Sequence, residues 1–319
     1  MNHIERNAIV LVIVLFGCTS NSVRNEKDKS SLLPSNSPEL FLPTLINSTW
    51  NVRDITITSD NTEIFYTIVA PKNKFSVIMT TKEQNHKWST PEIASFSGQY
   101  SDLEPALSPD GNKLFFASNR PDSIGGNPKD YDIWMVERKN DGWSEPINLG
   151  DSINTEGNEF FPSVALSGNL YYTANYEDSK GREDIYMSEY KNEKYGKPQS
   201  LSDAVNTSLY EFNAFVSADE STLVFTSYGR KDDAGGGDLY ISKKNNGNWS
   251  EAINLGNKIN SAYLDYSPFL SEDGKILYFT SERTEIESSY INRLSTNQLN
   301  DLMNSPLNGK GNIYWVKLN

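Results

Sequence analysis

Residues 97–149 read SGQYSDLEPALSPDGNKLFFASNRPDSIGGNPKDYDIWMVERKNDGWSEPINL. The stretch holds an apolar run after Glu104-Pro105, a Pro109-Asp110-Gly111-Asn112 turn and an aromatic run from Leu114 to Ala117. A polar loop then leads to Asp132-Ile133-Trp134, and Trp143-Ser144-Glu145-Pro146 precedes a closing Ile147-Asn148-Leu149. The same order of markers recurs. The first run starts at Ile55, Pro105, Pro162, Ala214 and Pro268, at intervals of about 50 to 57 residues. The second recurs as Ile64-Phe65-Tyr66, Leu114-Phe115-Phe116, Leu170-Tyr171-Tyr172, Leu223-Val224-Phe225 and Leu277-Tyr278-Phe279. The third opens at Asp132, Asp184, Asp238 and Asn312, and an aromatic marks the next turn at Trp88, Trp143, Tyr195 and Trp249.

Each copy thus carries four short β-branched and aromatic runs between Gly, Pro, Asn and Asp, the pattern of strands and turns. A repeat of this length with four strands is one blade of a β-propeller. The expected fold is all-β, with helical periodicity only from Ser295 to Met303. The fifth copy stops after its third strand, and Leu40 to Leu45 resembles the fourth strand Glu145 to Leu149. Ile46-Asn47-Ser48 also matches Ile153-Asn154-Thr155, Val205-Asn206-Thr207 and Ile259-Asn260-Ser261. The N-terminal strand is therefore expected to complete the last blade, which removes open sheet edges. This favours five blades over six.

The segment from Pro105 to Arg120, the loop before Asp132-Ile133-Trp134 and the run from Trp143 to Gly150 resemble the WD40-like PD40 propeller repeat. That repeat is known from TolB-like envelope proteins and from propellers joined to OmpA-like domains. The resemblance spans roughly residues 40–319 and implies the fold rather than a function.

Ahead of the repeats, Ala8 to Phe16 is an apolar run too short to span a bilayer, behind Arg6. Leu15-Phe16-Gly17-Cys18 resembles a bacterial lipobox, which implies acylation of Cys18 and a signal peptide over 1–17. Cys18 is the sole cysteine, so no disulfide forms within one chain. A lipid there would anchor the protein without spanning the membrane. Residues 18–38 are polar and read as a flexible tether, and 39–319 as the propeller domain. Thr19 after Cys18 favours the outer membrane, with the side of the membrane left open.

The net charge is −13 and the isoelectric point near 4.7, which argues against nucleic acid and anionic lipid surfaces. A monomer is expected. Of two histidines, His3 lies in the signal and His86 sits alone in a polar loop. No phosphate loop, nucleophile elbow or metal-ligand spacing is present, and no cofactor is implied.

Three residues ahead of each strand marker stands an acid: Asp102, Glu159, Glu211 and Asp265. In the first copy that position is Val52. Four carboxylates are thus expected near the mouth of the central channel, with Arg120 and Arg283 closing second strands toward the same face. Such a ring suits a cation or a basic peptide. The plainer reading is that these acids cap turns through backbone N–H groups. Residues 284–310 form the one long insertion, with Leu299, Leu302 and Met303 at helical spacing. It is either a binding loop or a packed lid. The expected function is a non-catalytic envelope module that docks a protein or peptide. The alternative is a glycan- or peptide-processing enzyme that uses the channel-face carboxylates.

Overall fold

The structure, a computed structural model, describes residues 33–46, 49–122 and 125–318. The signal segment, Cys18, most of the tether, Asn47 and Ser48 lie outside the described residues. Five antiparallel sheets form the blades. Their inner strands are Asn51–Ile57, Asp102–Leu107, Glu159–Val164, Tyr210–Val216 and Asp265–Leu270. The second strands are Glu63–Val69, Lys113–Ser118, Leu170–Ala174, Thr222–Tyr228 and Ile276–Ser281. The protein is a five-bladed β-propeller.

The second strands explain the aromatic runs. Each lies in a sheet covered on both faces, so both sets of alternating side chains must be apolar. Phe115, Phe116, Tyr171, Tyr172, Phe225 and Phe279 are accordingly buried. The core is divided among blade junctions. Phe65 and Ile78 of blade 1 pack with Leu114, Phe116 and Trp134 of blade 2. The turn aromatics bridge the same junctions, Trp143 lying 5.8 Å from Phe65 and Trp249 lying 6.3 Å from Tyr171.

The recurring Asn is a peptide clamp. Asn206 accepts the Ile185 N–H at 2.9 Å and donates to the Ile185 carbonyl at 2.8 Å. Asn154 and Asn260 hold Ile133 and Leu239 in the same way. Each clamp ties the loop leading into one blade to the third strand of the preceding blade.

The fifth blade closes as expected, with a shorter strand. Glu39–Leu40 pairs with Asn312–Lys317, Glu39 opposite Trp315 and Leu40 opposite Tyr314. The Phe41 N–H still reaches the Ile313 carbonyl at 2.9 Å, after which the chain turns at Leu42 with a φ of 45°. Pro43 has no N–H to extend the ladder. The chain runs up this strand from Ser35, whose carbonyl accepts the Lys317 N–H. Ser35 therefore lies on the face opposite the loops that lead into the inner strands.

The insertion contains a helix, Thr296–Asn304, opened by a capping box between Ser295 and Gln298. No residue of the helix is buried, and Ile291, Leu299 and Met303 are exposed. The insertion is pinned at its base, where Thr284 bridges to Asn308. Among the described residues no helix is long and apolar enough to cross a membrane.

Candidate functional site

The four repeated acids are enclosed within the blades. Asp102, Glu159, Glu211 and Asp265 are each 0% exposed. Glu211 accepts the Thr207 N–H and hydroxyl, both at 2.9 Å, and Glu159 and Asp265 accept the equivalent groups of Thr155 and Ser261. Asp102 accepts the Ser97 hydroxyl at 2.8 Å instead. Arg120 and Arg283 are spent on the same junctions, each donating to its own acid: Arg120 to Asp102 at 2.6 Å and Arg283 to Asp265 at 2.9 Å. Arg230 does this for Glu211 at 3.1 Å.

The channel side chains come from the neighbouring positions. Every inner strand carries a β-bulge. At each bulge one residue adopts positive φ: Asp54, Glu104, Phe161, Asn213 and Ser267. None is glycine, although left-handed backbone disfavours other residues, so five strained positions recur at one level of the propeller. The Asp54, Glu104 and Asn213 N–H groups donate to Thr280, Thr67 and Thr173 on second strands of the adjacent blades.

The bulge side chains form a belt. Asn213 donates to Ser267 at 2.8 Å, and Ser267 donates to Asp54 at 2.6 Å. Arg53 joins Asp54 at 2.8 Å to Glu104 at 2.7 Å. Glu104 then accepts the Phe161 N–H at 2.7 Å. The belt runs from blade 4 through blades 5, 1 and 2 to blade 3. Arg53 also lies over the Tyr266 ring at 4.9 Å.

Above the belt the mouth is asymmetric. Arg53, Leu103, Phe160 and Phe212 occupy equivalent, half-buried positions. On blades 2 to 4 the wall is aromatic, Phe160 lying 5.2 Å from Tyr131 and Phe212 lying 4.5 Å from Tyr210. Glu183 and Glu282 approach from loops between second and third strands. Burial raises the Glu104 carboxyl, opposed by Arg53 and reinforced by Asp54 and Glu183. Burial also raises Glu183, opposed by its Tyr210 hydrogen bond and Arg182, and raises Glu282, opposed by Arg53. Arg53 is held as a cation, since the nearby anions outweigh the burial that would lower it. Several carboxyls with raised pKa at one channel mouth are the kind of electrostatics found at functional sites.

A separate shallow cleft of about 590 Å³ lies against blade 3, lined by Ile153, Thr155, Tyr176, Asp178 and Lys197 among others. Among the described residues no group of three or more His, Cys, Asp or Glu is placed to hold a metal ion.

No protein-family model matches the sequence, and no curated protein matches it. Solved structures do. The chain is similar to the catalytic domain of a GH62 α-L-arabinofuranosidase from Coprinopsis cinerea, with TM-score 0.51 and 11% identity over 89% of this chain and 94% of that one. It is similar to an α-L-arabinofuranosidase from Lactobacillus brevis, with TM-score 0.50 and 13% identity over 86% and 92%. TolB from Acinetobacter baumannii matches with TM-score 0.49 and 15% identity over 84% of this chain and 55% of that one. The shared feature is the fold. At these identities the chemistry of those proteins is their own.

Residues repeated from blade to blade mark structure, as the enclosed acids Asp102, Glu159, Glu211 and Asp265 do. The mouth residues sit one and two positions before each strand marker, where types vary: Arg53-Asp54, Leu103-Glu104, Phe160-Phe161, Phe212-Asn213 and Tyr266-Ser267. Variation at a fixed place in an otherwise regular repeat was the available signal.

Proposed function

We propose that the protein is a non-catalytic binding module whose ligand site is the channel mouth. The observation that carries this reading is the break in fivefold regularity there. Blades 1, 2 and 5 supply the Arg53–Asp54–Glu104 ion cluster with Ser267, whereas the aromatic wall of Tyr131, Phe160, Tyr210 and Phe212 comes from blades 2 to 4. An aromatic surface beside oriented charge suits an exposed protein loop or peptide, the aromatics giving area at low entropic cost and the charges giving register. Asp54 and Glu104 are 1% and 4% exposed and both bind one guanidinium, which favours a structural and electrostatic role over proton transfer.

The protein is further proposed to be a lipoprotein of the bacterial envelope, acylated at Cys18 and lodged in the outer membrane. The polar tether expected over residues 18–38 and the apolar run ahead of Cys18 support this reading.

One observation favours the enzyme reading: the raised carboxyls of Glu104, Glu183 and Glu282 converge on one aromatic-walled mouth. Glycoside hydrolysis needs such a protonated carboxylic acid.

The deciding experiment uses the full chain in envelope preparations, with chemical cross-linking and a Phe160→Ser/Phe212→Ser variant that still melts cooperatively. A defined partner cross-linked to the wild type and lost in the variant supports the module. No partner, with hydrolysis of a glycan panel abolished by Glu104→Gln, supports the enzyme. Retention of Cys18→Ser in the membrane fraction would remove the lipid anchor from the proposal.

A further inference from the structure

Three blades share a donor set that blade 3 lacks. In blade 2 the Arg120 guanidinium donates to the Ser118 hydroxyl at 2.8 Å, to the Phe96 carbonyl at 3.1 Å and to Asp102 at 2.6 Å. In blade 4, Arg230 does the same for Ser227, the Val205 carbonyl and Glu211. In blade 5, Arg283 serves Ser281, the Ile259 carbonyl and Asp265. A guanidinium carries five donors and keeps its charge at any accessible pH.

In blade 3 the arginine position is Tyr176 and the serine position is Ala174. The Tyr176 hydroxyl lies 2.9 Å from the Ile153 carbonyl, 3.0 Å from Glu159 and 3.2 Å from the Tyr172 hydroxyl. A tyrosine has one proton to donate. With Glu159 ionised, that proton cannot serve both Glu159 and the Ile153 carbonyl. With Glu159 protonated, the counts match: the carboxyl donates to Tyr176, and Tyr176 donates to the Ile153 carbonyl.

We propose that blade 3 uses a proton on Glu159 where blades 2, 4 and 5 use an arginine, and that loss of this proton releases the Ile153 carbonyl and loosens the wall of the adjacent cleft. Ile153, Thr155 and Tyr176 all line that cleft. The groups facing Glu159 agree. Thr155 supplies its N–H and hydroxyl from the loop before the strand, and Tyr176 and Tyr172 face it from the second strand and its following loop. Asp132 bears on it from the third strand of blade 2, itself paired with Lys129 at 2.8 Å. Asp151, Glu177, Asp178 and Lys197 lie beyond, around the cleft. Among the described residues no cation is ion-paired to Glu159, whereas Asp102, Glu211 and Asp265 each have one. Burial raises the Glu159 carboxyl to about 7, against the pull of the Thr155 and Tyr176 hydrogen bonds and with a further push from Asp132.

The device is separate from the channel mouth and stands or falls independently of the proposed ligand. It is tested on the full chain by carboxyl NMR, with Glu159→Gln assigning the resonance, and by amide exchange at Ile153 and Asn154. The Glu159 carboxyl of the wild type is expected to titrate above pH 6. Ala174→Ser/Tyr176→Arg is expected to bring it below pH 5 by supplying the guanidinium. Protection at Ile153 and Asn154, corrected for intrinsic exchange, should fall roughly tenfold between one pH unit below the midpoint and one above it, as the protonated fraction does. Glu159→Gln should hold this protection constant across pH, because its amide donates permanently, and Tyr176→Phe should lack it throughout. A wild-type midpoint below pH 5, or the same pH profile of exchange in wild type and Glu159→Gln, overturns the proposal. The exchange comparison decides even if the double variant does not fold.

Discussion

Ser267 Oγ donates a 2.6 Å hydrogen bond to Asp54 Oδ1 and so joins the last blade to the first, 213 residues apart in sequence. Both residues are at most 1% exposed, and both sit at left-handed bulges of inner strands. The ring is therefore closed twice, at its rim by Glu39–Leu40 and at its axis by this belt.

Cutting the belt at that bond should cost stability. Ser267→Ala removes the donor to Asp54 and the acceptor of Asn213. Asp54 keeps its bond from Arg53, but the buried Asn213 amide is left as an unpaired donor, which costs about 1–3 kcal/mol. Urea unfolding should show a lower midpoint with an unchanged slope.

Removing the charge at the centre should cost more. Arg53→Met strands Asp54 and Glu104 beside each other without their shared cation. Breaking a buried pair from one side costs about 3–5 kcal/mol. The loss should be larger at high pH, where Glu104, raised by burial, has given up its proton, and smaller in acid. Thermal melts at pH 5 and pH 8 check the sign.

The asparagine clamp gives a third expectation. Asn206→Ala leaves the buried Ile185 N–H without its 2.9 Å acceptor and weakens the tie between blades 3 and 4. A loss of about 1–3 kcal/mol follows from the unpaired amide. Exchange of the Ile185 amide should rise in parallel.

The insertion should be dispensable for folding. Replacing residues 287–304 by a short Gly-Ser turn keeps the Thr284–Asn308 bridge and removes a helix with no buried residue. Shortening a surface loop changes its closure entropy by only about 0.6 kcal/mol per halving of length, in the stabilising direction. A marked fall in melting temperature would identify the segment as a packed lid.

The pH profile of stability follows from the carboxyls. Glu159 is raised to about 7 in the folded chain, so the folded state binds the extra proton above the unfolded glutamate range. That contribution is complete below the unfolded pKa and is lost as pH rises through about 7, at up to about 1.4 kcal/mol per pH unit. Glu104 acts in the same sense. Asp219 and Asp273 are lowered to about 2 by turn hydrogen bonds from Ser217 and Ser271, so their contribution is lost only as pH falls toward that value. Stability should peak on the acid side of neutrality, and in urea melts from pH 4 to pH 9 the fall between about pH 4.5 and about 7 should be smaller in Glu159→Gln.

The repeat markers made the architecture legible because they report local chemistry. Turn acids such as Asp110, clamp asparagines such as Asn154 and the aromatic second strands do the same job in each blade. The exchange of a strand between the chain ends was readable for the same reason, since the likeness of Leu40 to later fourth strands is local. The extent of that strand was not, because the turn at Leu42 is decided by what Leu45 and Ile46 can bury against.

The sequence alone determined an all-β repeat of five blades and the turn and packing roles of the residues repeated in each. Tertiary structure decided which residues face the axis. A bulge shifts side-chain alternation by one position, so the repeated acids Asp102, Glu159, Glu211 and Asp265 turn into the blade junctions while the irregular residues before each marker meet at the centre. The partnerships of Arg53 with Glu104 and of Ser267 with Asp54 exist only once the ring is closed, because no local pattern relates residues brought together by the last blade docking on the first.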